Sequence, residues 1–124
     1  FNNGNVSEMK NITQLVLERE SVCSTAIGSE VALPHCRTAD VEYPMAACAF
    51  VATGESIDWD APDGQPVRFI FLIVSPLKNP NMHVEAMKSI TTFIMKPGFL
   101  DGLEEAAREH KAFNYLHDSY TDSI

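Results

Sequence analysis

Apolar positions recur at helical spacing near the start of the chain. Met9, Ile12, Leu15 and Val16 share one stripe, which Arg19 ends, and Ser7 is suited to an N-cap; the spacing predicts a helix over residues 8–20. The pattern then changes. Residues 24–29 read as a loop pivoting on Gly28, and residues 30–33 as a short strand that ends at Pro34. Tyr43-Pro44 marks a turn. Two nearly unbroken apolar runs follow, MAACAFVA over residues 45–52 and VRFIFLIV over residues 67–74. Without alternation, such runs predict central strands covered on both faces. The polar stretch between them, residues 54–66, holds Asp58-Trp59-Asp60 and the turn-forming step Pro62-Asp63-Gly64. Trp59 is expected to pack as a lid over the sheet edge rather than to stack on a ligand.

After a break at residues 76–80, His83, Met87, Ile90 and Ile94 fall on one stripe and predict a helix over residues 82–95. His83 would then face the core from the first turn. Pro97-Gly98 punctuates the chain again. Phe99, Leu100, Leu103, Ala106 and Ala107 form the stripe of a further helix to about residue 110, and a last helical piece over residues 111–118 carries Phe113 and Leu116. The opening residues 1–6, polar and glycine-containing, read as a frayed entry. Helices alternating with buried strands indicate a layered α/β fold, and 124 residues suffice for one domain with a single core.

Charge removes some functions from consideration. Nine basic against seventeen acidic residues leave a net charge of −8, which disfavours nucleic acid and anionic membrane surfaces. No apolar stretch has the length of a membrane span, and no secretory signal is read, so no direct membrane insertion is expected. Cys23, Cys36 and Cys48 form no C-x-x-C pair and no disulfide framework, which points to a reducing, cytoplasmic setting. Cys48 is expected to be a small buried hydrophobe.

One histidine stands out. His35 directly follows Pro34, so the backbone that presents its imidazole is stiff, which suits a ring acting as nucleophile. His83 sits at a predicted helix N-terminus, where an anion is favoured and a protonated imidazole is not; by spacing alone it reads first as a satisfied core histidine. Arg19 reads either as a solvated arginine at a helix C-terminus or as a guanidinium fork for phosphate. Arg37, two residues past His35, reads equally as a further cation for the same site or as a solvated charge. His35, Cys36 and His83 make poor zinc ligands, with adjacent ligands and no fourth partner, and no metal is expected. A hydrolase using Cys36 with His83 as base lacks an oxyanion signature. His110 and His117 carry no motif and are expected at the surface.

Arg19-Glu20, then Ser24-Thr25-x-Ile27-Gly28, then Ala32-Leu33-Pro34-His35, resembles the active-site signature of enzyme IIA domains of the phosphoenolpyruvate-dependent sugar phosphotransferase system, in the fructose/mannitol and nitrogen-regulatory branch. The block Asp58-Trp59-Asp60-Ala61-Pro62-Asp63-Gly64-Gln65-Pro66-Val67 is similar to the turn and strand entry of fructose-like members. Asn81-Met82-His83-Val84 matches the place of the family's second histidine. The blocks follow the family's order and span most of the chain.

The resemblance implies a single-domain mixed sheet, residues 1–124, flanked by helices on both sides. Family members usually carry one more helix before this point, so the chain is expected to be a domain cut from a longer protein or one with a shortened start. The implied function is that of a phosphocarrier without cofactor. His35 would accept a phosphoryl group on Nε2 from the carrier HPr and pass it to a cysteine of a IIB domain during sugar uptake. His83, Arg19 and Thr25 would donate to the phosphoryl oxygens. The alternative is a regulatory module of the nitrogen-regulatory or transporter-fused kind, with a regulated protein or transporter as partner, whose affinities report the phosphorylation state. Cys36 departs from the family's usual glycine, which raises two expectations: a side chain crowding the docking surface, or a redox-sensitive thiol.

Overall fold

The computed structural model describes residues 6–51 and 54–123. In chain order these form α1 (Val6–Val22), β1 (Ala26–Gly28), β2 (Val31–Ala32), β3 (His35–Thr38), β4 (Met45–Phe50), β5 (Phe69–Pro76), α2 (Pro80–Ile94), α3 (Phe99–Arg108) and α4 (Ala112–Ser123). The chain divides into two compact units, Phe1–His83 and Val84–Ile124. The frayed entry expected over residues 1–6 falls, for residues 1–5, outside the described residues, as does residue 52 of the first apolar run.

β5 is the centre of a mixed sheet. Along one side, β2 and then β3 pair with it in parallel, Val31 opposite Phe69 and His35 opposite Ile73. Along the other side β4 runs antiparallel, from Met45 opposite Val74 to Phe50 opposite Phe69. β1 extends the sheet beyond β2 as an antiparallel hairpin. Pro34 explains why β2 and β3 are separate, since proline has no N–H for the ladder. Its carbonyl still accepts from the Ile73 N–H at 3.0 Å, so the chain stays against β5 and pairing resumes at His35. The β1–β2 turn is the two-residue kind with positive φ, 56° at Ser29 and 69° at Glu30, preceded by Gly28 at 95°. Such φ values strain side-chain-bearing residues, and the Asp63 carboxylate holds the turn by accepting from the Ser29 N–H at 2.9 Å.

Among the described residues, five strands and four helices bear out the expected α/β class. Ile12 of α1 packs with Cys36 and Val74, and Leu15, Val16, Val41 and Leu72 gather around them. α1 therefore covers the sheet face that carries Cys36. Because side chains alternate along a strand, His35 and Arg37 lie on the opposite face. A second cluster, Ala26, Ala32 and Val67, is covered by Trp59, Ala61 and Ile70.

Four expectations shift. The apolar run of β4 is not a covered central strand. Among the described residues it pairs with β5 alone, and its residues are largely exposed, Met45 by 44%. Its alanines read as apolar without needing burial, whereas β5, rich in large β-branched and aromatic residues, is the buried strand. Ser7 lies inside α1, not before it. α2 begins before residue 82 because Asn79 caps it, accepting from the Met82 N–H at 3.3 Å, with Pro80 in the first helical position. In the second unit Phe113 is 78% exposed. α4 seats Tyr115 instead, its hydroxyl donating to the Phe99 carbonyl at 2.9 Å and its ring centroid 5.3 Å from that of Phe99. Among the described residues no helix is long and apolar enough to cross a membrane.

Candidate functional site

His35 opens β3 directly after Pro34, and its half-buried ring is anchored locally. Nδ1 lies 2.9 Å from the Leu33 carbonyl oxygen. A carbonyl can only accept, so in the neutral ring Nδ1 holds the proton and Nε2 keeps its lone pair. The Leu33 N–H is fixed in turn by the Thr25 carbonyl at 3.0 Å. The tautomer, open in the sequence, thus follows from one backbone oxygen.

His83 meets this ring from the first turn of α2. The two ring centroids are 5.3 Å apart, with planes inclined at 42°. Nδ1 of His83 lies 2.9 Å from the Ser75 hydroxyl, which is fully buried on β5. Burial, then the nearby His35 and Arg37, push the His83 pKa below its ordinary value of 6.5, so the ring is neutral at pH 7. Arg37 is exposed beside them and donates to the Leu77 carbonyl at 2.9 Å.

Thr25 and Arg19 gather around a different group. The Thr25 hydroxyl donates to Glu20 Oε1, and its N–H donates to Glu20 Oε2 at 2.8 Å. Trp59 Nε1 donates to the same Oε2 at 3.0 Å. Arg19 donates to the Cys23 carbonyl at 2.8 Å. Burial alone would raise the Glu20 pKa, but the donors from Thr25 and Trp59, with the Arg19 charge, outweigh it and hold the carboxyl below the usual range. So the structure brings His35 and His83 together, while the Thr25 hydroxyl and N–H, and Arg19 through Nη1, are engaged within the α1–β1 connection.

Cys36 does not face the histidines. It is buried under α1 with Ile12 and Val74, and burial followed by the Asp40 carboxylate raises its thiol pKa. It neither crowds the His35 side nor has the thiolate character that redox sensing or a Cys36–His83 hydrolase needs. Cys48 is half-buried on β4, with burial pushing its thiol up to about 11. Among the described residues no cluster of three or more His, Cys, Asp or Glu could hold a metal ion. His110 and His117 are exposed, as expected.

Sequence reasoning passed over Ser75 and the role of Glu20. The signal for Ser75 was a single hydroxyl closing an apolar strand just before Pro76. For Glu20 it was the Arg-Glu pair itself, of which only the arginine drew attention. Trp59 does pack over the Ala26, Ala32 and Val67 cluster as anticipated, but its indole N–H has a second use.

The family model "Phosphoenolpyruvate-dependent sugar phosphotransferase system, EIIA 2" matches residues 1–119. The chain is 32% identical over 114 residues to the PTS system fructose-specific EIIABC component of Bacillus subtilis (strain 168), covering 92% of this chain but only 18% of that protein. It is 26% identical to the nitrogen regulatory protein of Pseudomonas aeruginosa, over 90% of this chain and 71% of that one. Among solved structures, the nitrogen regulatory protein IIA-Ntr from Neisseria meningitidis is similar with a TM-score of 0.62 and 30% identity, over 80% of this chain and 68% of that chain. The matched span contains both histidines and the whole α1–β1 connection, and on this ground the chain belongs to the EIIA 2 family of the phosphoenolpyruvate-dependent sugar phosphotransferase system.

Proposed function

We propose that the chain is a cytoplasmic phosphocarrier in sugar uptake, with residues 1–124 acting as one IIA domain. His35 Nε2 attacks the phosphoryl group of a phosphohistidine on an HPr-type carrier. The bond from phosphorus to the carrier's nitrogen breaks as the bond to Nε2 forms. The Nδ1 proton stays in place, so the phosphorylated ring gains a positive charge that the Leu33 carbonyl stabilises. A IIB-domain cysteine then takes the group. With Ser75 donating to Nδ1 of His83, the Nε2–H of that neutral ring is available to the phosphoryl oxygens. Arg37 and Arg19 add positive potential, and Thr25 acts through the loop it holds. No metal or cofactor enters this step.

The observation that carries the reading is the His35 ring, locked by a backbone acceptor with its nucleophilic nitrogen free and a neutral second imidazole beside it. Incubation with phosphoenolpyruvate, enzyme I and HPr is expected to add one acid-labile phosphoryl group. His35→Ala abolishes the labelling and His83→Ala retains it. Equal labelling of His35→Ala and the unaltered chain would refute the assignment.

The similarity to IIA-Ntr favours a second reading, a regulatory module in which the same phosphoryl group changes the affinity for a regulated protein or transporter. Phosphate that persists on His35 in the presence of IIB domains, while binding to a regulated protein changes, selects this reading.

A further inference from the structure

We propose that Glu20 is a positioning residue for His35, acting through Thr25 and Leu33 and coupling both to the Trp59 loop. The inference rests on His35 being the phosphoryl acceptor. The Glu20 carboxylate receives three donors from two segments, the hydroxyl and N–H of Thr25 and the indole N–H of Trp59. Thr25, held in this way, presents its carbonyl to the Leu33 N–H, and the Leu33 carbonyl receives His35 Nδ1. Four groups thus form one chain of contacts from the end of α1 to the nucleophile. The Trp59 segment is tied in at two further places. Ser24 Oγ donates to the Trp59 carbonyl at 2.6 Å, and Asp63 accepts from the Ser29 N–H across the β1–β2 turn. A half-buried carboxylate with this many donors is a strong local constraint, since charge-assisted hydrogen bonds are about twice as strong as neutral ones. Its depressed pKa agrees with a carboxylate that stays ionised at working pH.

The functional output is the direction of one carbonyl. If the β1 entry relaxes, the Leu33 oxygen moves, the Nδ1–H tautomer loses its anchor, and Nε2 is neither reliably unprotonated nor aimed. Misplacement by about 1 Å costs roughly 100-fold in a reaction that depends on alignment.

The test uses the full chain with Glu20→Ala and Trp59→Phe, the latter removing the indole N–H while keeping an aromatic ring over the Ala26, Ala32 and Val67 cluster. The ¹⁵N shifts of the His35 ring nitrogens report the tautomer in the unphosphorylated protein, with no carrier needed. Transfer kinetics from an HPr-type carrier are measured alongside. Glu20→Ala is expected to mix the His35 tautomers and lower turnover roughly 10- to 100-fold, with KM little changed; Trp59→Phe moves both readouts the same way by less. A folded Glu20→Ala with wild-type His35 shifts and turnover overturns the proposal. Should Glu20→Ala not fold, wild-type His35 shifts in Trp59→Phe overturn it and displaced shifts support it. If the unaltered chain accepts no phosphoryl group, the carrier reading fails, while the ¹⁵N shifts still decide whether Glu20 orients the ring.

Discussion

Replacing Cys36 by alanine separates stability from transfer. The thiol is 5% exposed and packed between Ile12 and Val74. Losing its sulfur removes about one methylene's worth of burial, ~0.8 kcal/mol. The void left under α1, taken as about 25 Å³, adds ~0.6 kcal/mol at the usual cavity coefficient. Cys36→Ala should therefore cost about 1.5 kcal/mol. Cys36→Gly, the family's usual residue, should cost about 1 kcal/mol more, because glycine gives a strand extra freedom to lose. Urea titration checks this: with a denaturant slope of about 1–3 kcal/mol/M, the alanine midpoint falls by roughly 0.5–1.5 M. Transfer to His35 should stay within about twofold for alanine, since the removed atom lies on the face opposite the imidazole. An unchanged midpoint would refute the packing argument. A change of more than about fivefold in transfer with stability intact would place residue 36 on the docking side and refute the assignment of faces.

Three further outcomes are expected. His83→Ala should leave His35 phosphorylatable but slow the transfer step by about 10²–10³-fold, the usual cost of one donor to a developing oxyanion, as measured by rapid-quench kinetics. On pH, His83 is held below 6.5, first by burial and then by His35 and Arg37, so the unfolded chain takes up that proton first. Its contribution is full above 6.5 and is lost as pH falls through the folded value; Glu20, held below 4.5, contributes above 4.5 and loses that contribution as pH falls through its own folded value. Urea midpoints that rise on acidification from about pH 7.5 to 5.5 would contradict the His83 sign. Finally, Ala47→Lys on exposed β4 should move stability by no more than about 0.5 kcal/mol, and a loss above about 1 kcal/mol would show that the strand is covered.

Much of the fold was legible where one physical signal dominated. The β5 run announced its burial through large branched and aromatic residues, and the α1 stripe announced its covered face through Ile12 and its neighbours. β4 misled because alanine counts as apolar in a pattern while burying little, so continuity could not distinguish an edge from a centre. β3 was missed because it is four residues long and mixes polar with apolar side chains, its existence depending on β5 rather than on its own propensity. The histidine pair was legible only as two motif blocks far apart in the chain, and periodicity could place His83 on the inner side of a helix but not 5.3 Å from His35. Glu20, Trp59 and Ser75 were least legible, because their contributions are hydrogen bonds across tertiary contacts, and no spacing rule encodes those.

In the proposed transfer, the two imidazoles take opposite parts. Each ring has its Nδ1 2.9 Å from a protein oxygen, so distance alone does not distinguish them. The oxygens differ in kind. The Leu33 carbonyl has no proton to give and forces Nδ1–H on His35, which leaves a lone pair on Nε2. The Ser75 hydroxyl can donate, and a neutral His83 that accepts from it must carry its own proton on Nε2. The pair then presents one nucleophile and one donor, the combination an incoming phosphoryl group requires. Were both oxygens carbonyls, two lone pairs would face the phosphate's negative oxygens and repel them. Ser75 is therefore the residue on which the proposed division of roles turns, although the one side-chain hydrogen bond it makes among the described residues is with His83. Its buried position at the end of β5, one residue before Pro76 and opposite Arg37, is fixed by the parallel register that also sets His35 opposite Ile73. On the proposed reading, the strand that forms the core thus also sets which histidine gives and which receives.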